Sequence, residues 1–360
     1  MLRDLPRKAG DAESLEEARF EAQKIVFGPL LFQAVRLLRD LGILRVLRTA
    51  RDGVALDDVT QKVGTSRYGA VVLLEAGLAA GVVRCHEGRY FLTKTGACVL
   101  TDELTRVNMD VVQECCFQAA YYLEDSIREQ KPVGLHKVFG DWETIYPALS
   151  KLPAAARDSW FRWDHYYSDA AFPEALPLVF ERRPRTLLDV GGNTGKWSMH
   201  CARYSPEVAI TLLDHPGQVK LARENIEKLG LGDRIACHPI DLLDHTQPLP
   251  GGFDAVWMSQ FLCCFPEEDV VQLLRRAAAA LGPDGRLYIL DTFWDRQEHE
   301  ASAYSLQAIS LYFTFLANGR SRMYKAADII ALLGQAGLEV ERESPILGVC
   351  STLLVCRKSS

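Results

Sequence analysis

The sequence predicts an α/β protein in which a mostly helical N-terminal region precedes a parallel sheet with helices on both faces. Three observations predict it. From Arg185 onward, strand-like apolar runs at 186–190, 208–213, 234–240, 253–258 and 286–291 alternate with helical patterns, the order of a parallel sheet covered on both sides. The segment Leu187-Leu-Asp-Val-Gly-Gly-Asn-Thr-Gly195 reads as a buried strand breaking into a glycine-rich turn, and Lys196 to Tyr204 continue as a helix. Ahead of residue 100 the order is instead helix, helix, hairpin.

Taken in order, residues 1–14 are polar and are expected to be a disordered start, with no apolar core of a signal peptide. From Leu15 to Leu47 the apolar residues Ile25, Leu30, Leu31, Ala34, Leu37, Leu38 and Leu41 recur at helical spacing. A short helical piece at 55–63 follows, then Ser66 caps a helix from Arg67 to Ala80. Val82-Val-Arg84 and Arg89-Tyr-Phe-Leu-Thr93 form a hairpin across Glu87-Gly88. This is the order of a winged helix, assigned to 15–103. Its second helix has one basic residue, Arg67, and is apolar nearly all round. Helices that read bases need exposed Arg, Lys, Asn or Gln, so this one is expected to pack against its own domain or a second subunit, not DNA. Residues 104–180 read as a helical linker that contributes an aromatic wall to a substrate pocket, above all Trp160-Phe-Arg-Trp-Asp-His-Tyr-Tyr-Ser-Asp169. Residues 181–360 carry the sheet, ending in a pair of strands near Leu338 and Thr352.

Bulk properties exclude several classes. At 360 residues, with 48% hydrophobic and 24% charged residues, the chain is long enough for a sizeable core. The net charge of −6 offers no general attraction to nucleic acid or anionic lipid. No apolar run approaches the roughly 18 residues of a membrane span. The ten cysteines lie far apart or as adjacent pairs without any C-x-x-C, which argues for free thiols in a reducing cytoplasm and against metal or disulfide frameworks.

The chemistry concentrates after residue 186. Glycines at 191, 192 and 195 remove the Cβ atoms that would keep a nucleoside-like ligand off the backbone, but they lack the G-x-G-x-x-G spacing of a dinucleotide site. Asp214 and Asp241 close the next two strand-like runs, and an acid at the end of the second strand is where ribose hydroxyls are usually held. Asn193 is among the few residues that tolerate a left-handed backbone.

The spelling D-x-G-G-x-x-G resembles the first motif of class I S-adenosylmethionine-dependent methyltransferases, with their Rossmann-like sheet. Together with the N-terminal pattern, residues 20–358 resemble the plant-type O-methyltransferase family, which carries a winged-helix dimerisation domain. The resemblance implies a homodimer, S-adenosyl-L-methionine as cofactor and S-adenosyl-L-homocysteine as product. It implies that Asp189 helps hold the methionine amino group, Asp214 the ribose, and Asp241 with Leu242 the adenine. Gly191, Gly192, Gly195, Ser168, Ser259 and Gln260 complete the expected cofactor set, and Tyr166, Tyr167, Trp163 and Phe261 the expected substrate set. Where the family places a histidine general base, this chain has Cys263, followed by Cys264 and Phe265. Asp291 matches one acidic partner of that histidine, and the other falls near Ser321. This is the pattern of a bacterial aromatic-metabolite branch lacking the usual base.

A phenol with pKa near 10 is mostly protonated at neutral pH, so a base typically contributes 10²–10⁴-fold to its methylation. Cys263 is read as a lining residue or a thiolate base, His165 as a catalytic or orienting group, and Asp291 as an acceptor for a substrate hydroxyl. Arg320 and Arg322 are solvated or clamp a carboxylate, while His200, His215 and His238 are structural. Loss of the histidine also opens carbon methylation, since a ring carbon ortho to a phenol is nucleophilic once the hydroxyl is polarised. The expected activity is therefore methyl transfer to a small aromatic acceptor, free or carrier-bound, at carbon or oxygen. The alternatives are a relative repurposed for a non-methylating reaction and a winged-helix regulator.

Overall fold

A computed structural model describes residues 14–359, with the side chain of Ile346 left aside. The expected disordered start lies outside the described residues except for Ser14, which begins the first helix with a capping box: its hydroxyl accepts from the Glu17 N–H at 3.2 Å while the Glu17 carboxylate accepts from the Ser14 N–H at 2.8 Å. Contacts divide the chain into two compact units, 1–109 and 110–360.

In the first unit, α1 (Leu15–Asp40), α2 (Ile43–Arg48), β1 (Val54–Ala55), α3 (Leu56–Val63) and α4 (Arg67–Ala79) precede a hairpin of β2 (Val83–His86) and β3 (Arg89–Leu92). Ser66 caps α4 through the Gly69 N–H at 3.0 Å. Glu87 and Gly88 have φ of 48° and 72°, the two left-handed residues that match a tight turn to the twist of its strands. β3 pairs with both β1 and β2, antiparallel. Leu38, Leu44, Val59 and Leu74 close the core. The apolar spacing of α1 continues beyond what that core needs, and Ile25, Leu30 and, on α4, Tyr68 are 80%, 69% and 79% exposed.

α5 (Lys94–Thr101) follows the hairpin in the first unit, and the second unit leads through helical turns into α6 (Ala154–Asp169) and α7 (Phe172–Phe180). Then β4 (Thr186–Val190), α8 (Lys196–Tyr204), β5 (Ala209–Asp214), α9 (Pro216–Lys228), β6 (Ile235–Pro239), β7 (Phe253–Ser259), α10 (Glu267–Ala280) and β8 (Leu281–Asp291) alternate. After α11 (Glu300–Ile309) and α12 (Ala326–Gln335), β9 (Leu338–Leu347) and β10 (Ser351–Lys358) form the closing pair. The seven strands run β6-β5-β4-β7-β8-β10-β9, parallel from β6 to β8, with β10 antiparallel to both of its neighbours. Strands buried on both faces read as continuous apolar runs, and Leu187, Leu188, Leu212, Ala255 and Val256 are fully enclosed. The chain moves outward from β4 to β6, then returns to the other side of β4 at β7. At that reversal the loops after β4 and β7 part, and ligands bind in such a crevice outside the strand C-termini.

Candidate functional site

A cleft of about 810 Å³ occupies that crevice, within the range of ligand sites. Its floor is the turn after β4. Gly191 has φ of +74°, and a Cβ there would stand 2.5 Å from the Phe261 ring; a Cβ on Gly192 would stand 2.4 Å from Leu212. Only glycine permits so close an approach between the loops. Asn193 adopts φ of 49°, as its type allows.

Two carboxylates meet this turn and a third stands at the rim of the cleft. Asp189 is 2% exposed and accepts from the Ser198 hydroxyl at 2.6 Å. Burial pushes its pKa up to about 7; the Ser198 bond works against that and the charge of Asp214 adds to it. Asp214 accepts from the Asn193 N–H at 2.8 Å and the His215 N–H at 2.6 Å, and burial still holds its pKa above the usual range. Asp241 is exposed at the rim, where it accepts from the Leu243 N–H at 3.0 Å. Next to it Leu242 is buried, with its carbonyl held by Arg276 at 2.6 Å. Asp189, Gly191, Gly192, Asp214, Asp241, Leu242, Ser259, Gln260, Phe261, Ser168 and His165 all line the cleft.

The facing wall comes from α6. His165 Nδ1 lies 3.5 Å from Asp169 Oδ1, and the same carboxylate takes Lys196 Nζ at 2.5 Å. Burial would raise the Asp169 pKa, but the bonds from His165 and Lys196 bring it below its ordinary value. Asp164 accepts from Asn193 Nδ2 at 3.0 Å, and burial raises its pKa. Asp164, Asp169 and Lys196 thus tie the aromatic helix to the glycine turn. Sequence reasoning quoted all three without assigning them a role; the i, i+5 placement of two acids opposite the lysine that opens α8 was the available signal. A stacked pair, Trp197 and Trp257, 3.8 Å apart and 13° from parallel, also faces the cleft.

Behind this wall lies an annex of about 30 Å³ that shares Tyr146, Trp160, Asp164, Gln260 and Cys264 with the cleft. Trp163, Tyr167 and Cys263 line the annex and not the cleft.

Several expectations need correction. Gly195 lines neither cavity; at φ of +81° it begins α8, with a Cβ position 3.4 Å from Ala222 and Ile226, so it serves helix packing. Tyr166 lines neither cavity and packs edge-on against Tyr167 at 5.5 Å. Asp291 lines neither; its carboxylate accepts from the Thr292 N–H at 2.8 Å, and burial pushes its pKa up to about 7. Cys263 is no thiolate: the neighbouring Cys264, burial and the charge of Asp291 all hold its pKa well above the ordinary thiol value. Arg320 pairs with Glu268, and Arg322 pairs with Glu267 at 2.7 Å and Asp328 at 2.8 Å, so neither is a free clamp. Ser321, where an acid was missing, is bonded to Asn318 Nδ2 at 2.7 Å. Among the described residues no helix is long and apolar enough to cross a membrane, and no group of His, Cys, Asp or Glu could hold a metal ion.

Against known proteins, residues 19–90 match the model of the Dimerisation2-like domain and residues 170–339 that of the O-methyltransferase domain. An L-tyrosine C(3)-methyltransferase of Streptomyces lavendulae is 26% identical over 320 residues, 88% of this chain and 86% of the relative. The aclacinomycin 10-hydroxylase RdmB of Streptomyces purpurascens is 31% identical over 159 residues, covering 44% of this chain and 41% of that protein. The crystal structure of the S-adenosylmethionine-dependent methyltransferase SibL in its apo form superposes with a TM-score of 0.71 at 26% identity, covering 94% of this chain and 99% of the other. Residues 19–90 thus carry a Dimerisation2-like domain and residues 170–339 an O-methyltransferase domain, and the chain, homologous to a methyltransferase along most of its length, is an S-adenosylmethionine-dependent methyltransferase.

Proposed function

We propose that this enzyme methylates a phenolic ring at the carbon beside the hydroxyl, and that the cleft above the sheet holds both reactants. The observation that carries the reading is a single cleft with two unlike walls, a glycine turn with three carboxylates opposite an aromatic helix. The donor set fits S-adenosylmethionine. Carboxylates at 189, 214 and 241 suit an ammonium and ribose hydroxyls and repel phosphate, and the Ser259 hydroxyl is buried with no partner among the described residues, ready for a ligand. When bound, this cofactor supplies a methyl group on cationic sulfur and leaves as S-adenosylhomocysteine.

The chain's residues do the rest. Asp189, steadied by Ser198, faces the amino end; Asp214 holds the ribose; Asp241, Leu242, Ser259, Gln260 and Ser168 frame the remainder. His165, braced by Asp169, takes the proton that the ring carbon gives up once it carries the methyl group. Such a positioned base is worth about 10²–10⁴-fold.

Carbon is favoured over oxygen for two reasons. Cys263 occupies the place of the family's base and is held as a neutral thiol, so the hydroxyl is not stripped there. The relative matched over most of the chain is named for position 3 of tyrosine, the ring carbon beside the hydroxyl. The partly matched hydroxylase favours a second reading, a reaction without transfer. We take the enzyme to be a cytoplasmic homodimer, as its free cysteines and the exposed apolar residues of α1 and α4 suggest.

Purified protein incubated with S-adenosylmethionine and L-tyrosine, other free phenols and carrier-linked tyrosine provides the test. A ring-methylated product that keeps its hydroxyl, with one S-adenosylhomocysteine formed for each, is expected. A methoxy product moves the reaction to oxygen, and product without S-adenosylhomocysteine supports the second reading. No transfer to any hydroxyaryl overturns the proposal.

A further inference from the structure

The annex behind the acceptor wall has a polarity that nothing so far explains. Half of its twelve lining residues are aromatic, yet two polar atoms on it are buried without a nitrogen or oxygen partner among the described residues, the Tyr146 hydroxyl and the Trp163 indole N–H. The weak thiol of Cys264 is bonded to the Tyr146 hydroxyl, and Tyr312 and Cys263 lie close by. Three other polar groups there are engaged. Tyr312 Oη accepts from Trp160 Nε1 at 2.7 Å, Thr292 Oγ1 turns to Met323 Sδ at 3.9 Å, and Asp164 accepts from Asn193 at 3.0 Å with lone pairs to spare. Buried donors are nearly always satisfied, so two stranded on one small wall point to a guest. At about 30 Å³ the annex admits one water-sized group and no ring.

We propose that the annex receives the hydroxyl of the acceptor ring, whose oxygen accepts from Tyr146 O–H and Trp163 N–H and whose hydrogen goes to the Asp164 carboxylate. The inference rests on the phenol reading above. Burial raises the Tyr146 phenol well above its ordinary value, so it stays a donor. The two thiols facing the annex, Cys263 and Cys264, bring no positive charge that would compete. Anchored this way, the oxygen points away from the cleft while the carbon beside it remains on the cleft side. Carbon selectivity then follows from where the oxygen is held. A methoxy group lacks the hydrogen for Asp164 and exceeds the space.

The test compares 4-nitrophenol with nitrobenzene by calorimetry at about pH 5.5, where the phenol keeps its hydrogen, on full-length enzyme saturated with S-adenosylhomocysteine. Wild type should bind 4-nitrophenol clearly tighter than nitrobenzene. Tyr146→Phe and Trp163→Phe should each weaken 4-nitrophenol roughly 5- to 100-fold, the cost of leaving a buried partner unpaired, while nitrobenzene changes by less than about twofold. A structural role would weaken both ligands alike, and that result overturns the site. So does a wild type that binds the two equally, which would mean that the annex holds only water. In either case the phenol reading stands if transfer to a phenol occurs. Failure of wild type to bind 4-nitrophenol at all overturns the site as well, and the transfer assay alone then decides the phenol reading.

Discussion

Asp189 places a charge where the apoprotein is poorly suited to hold one, and this can be measured by replacing it with asparagine. Asp189→Asn keeps the shape and an oxygen for the Ser198 hydroxyl but removes the charge. The native pKa of about 7 stands above the reference of 3.8. A group raised in the folded state contributes its full stability below the unfolded value and loses it as pH climbs through the folded value. From 3.8 to about 7, at 1.36 kcal/mol for each pKa unit, the loss amounts to about 4 kcal/mol. It is complete by about pH 8 and absent near pH 4. The asparagine variant should therefore match wild type in acid and outlast it in mild base. For a unit of some 250 residues this means a melting point higher by on the order of 10 °C at pH 8. Asp291, also raised to about 7, is present in both proteins and cancels in the difference.

The assay is thermal unfolding of ligand-free wild type and variant at pH 5, 6, 7 and 8, paired with calorimetric binding of S-adenosylmethionine. The stability gap should open with pH while cofactor affinity falls at least tenfold, because the ammonium loses its carboxylate. A gap that is constant across pH, or one in which the variant is the less stable at pH 8, refutes the account of a buried carboxylate kept for the ligand.

Other consequences can be checked on the same protein. Gly191→Ala must adopt a φ of +74° and displace the Phe261 ring 2.5 Å away, so cofactor affinity should drop at least tenfold by calorimetry, with a stability loss of about 2–4 kcal/mol from strain and overpacking. His165→Asn should lower kcat roughly 10²- to 10⁴-fold with cofactor affinity within threefold; an equal loss in both would make His165 structural. Cys263→Ala should leave the pH profile of kcat unchanged, because the thiol is neutral throughout the working range; the disappearance of a basic limb would revive the thiolate base.

Much of this was legible because it was local. The Glu87-Gly88 hairpin, the Ser66 cap and the left-handed Asn193 each follow from a residue's own conformational preference. The parallel strands announce themselves as apolar runs because both of their faces are covered. The acids at 214 and 241 were found because a strand's end fixes where its next side chain goes. The helical wall was only half read. Trp160, Trp163, Asp164, Tyr167 and Ser168 fall at i, i+3, i+4, i+7 and i+8, one stripe of α6, and all five line one cavity or the other. Tyr166 lies off that stripe, so helical periodicity already opposed its assignment to the substrate.

The annex was illegible for a different reason. Its walls join residues that the chain keeps far apart: Trp160 meets Tyr312 across 152 positions, and Cys263 enters through a turn that follows the left-handed Gln260 at φ of 46°. No periodicity or spacing encodes such a meeting. Nor does sequence show which polar groups go unsatisfied, because an unpaired Trp163 N–H is defined by what does not reach it. The proposed cofactor half is written largely at the ends of successive strands, β4 to β7, whereas the proposed acceptor half is assembled from the turn before α6, α6 itself, the loop after β7 and the turns after α11. With the hydroxyl anchored as proposed, the choice of carbon or oxygen belongs to tertiary packing. A swap of Cys263 to histidine alone should not turn this enzyme toward oxygen while Tyr146 and Trp163 still anchor the hydroxyl.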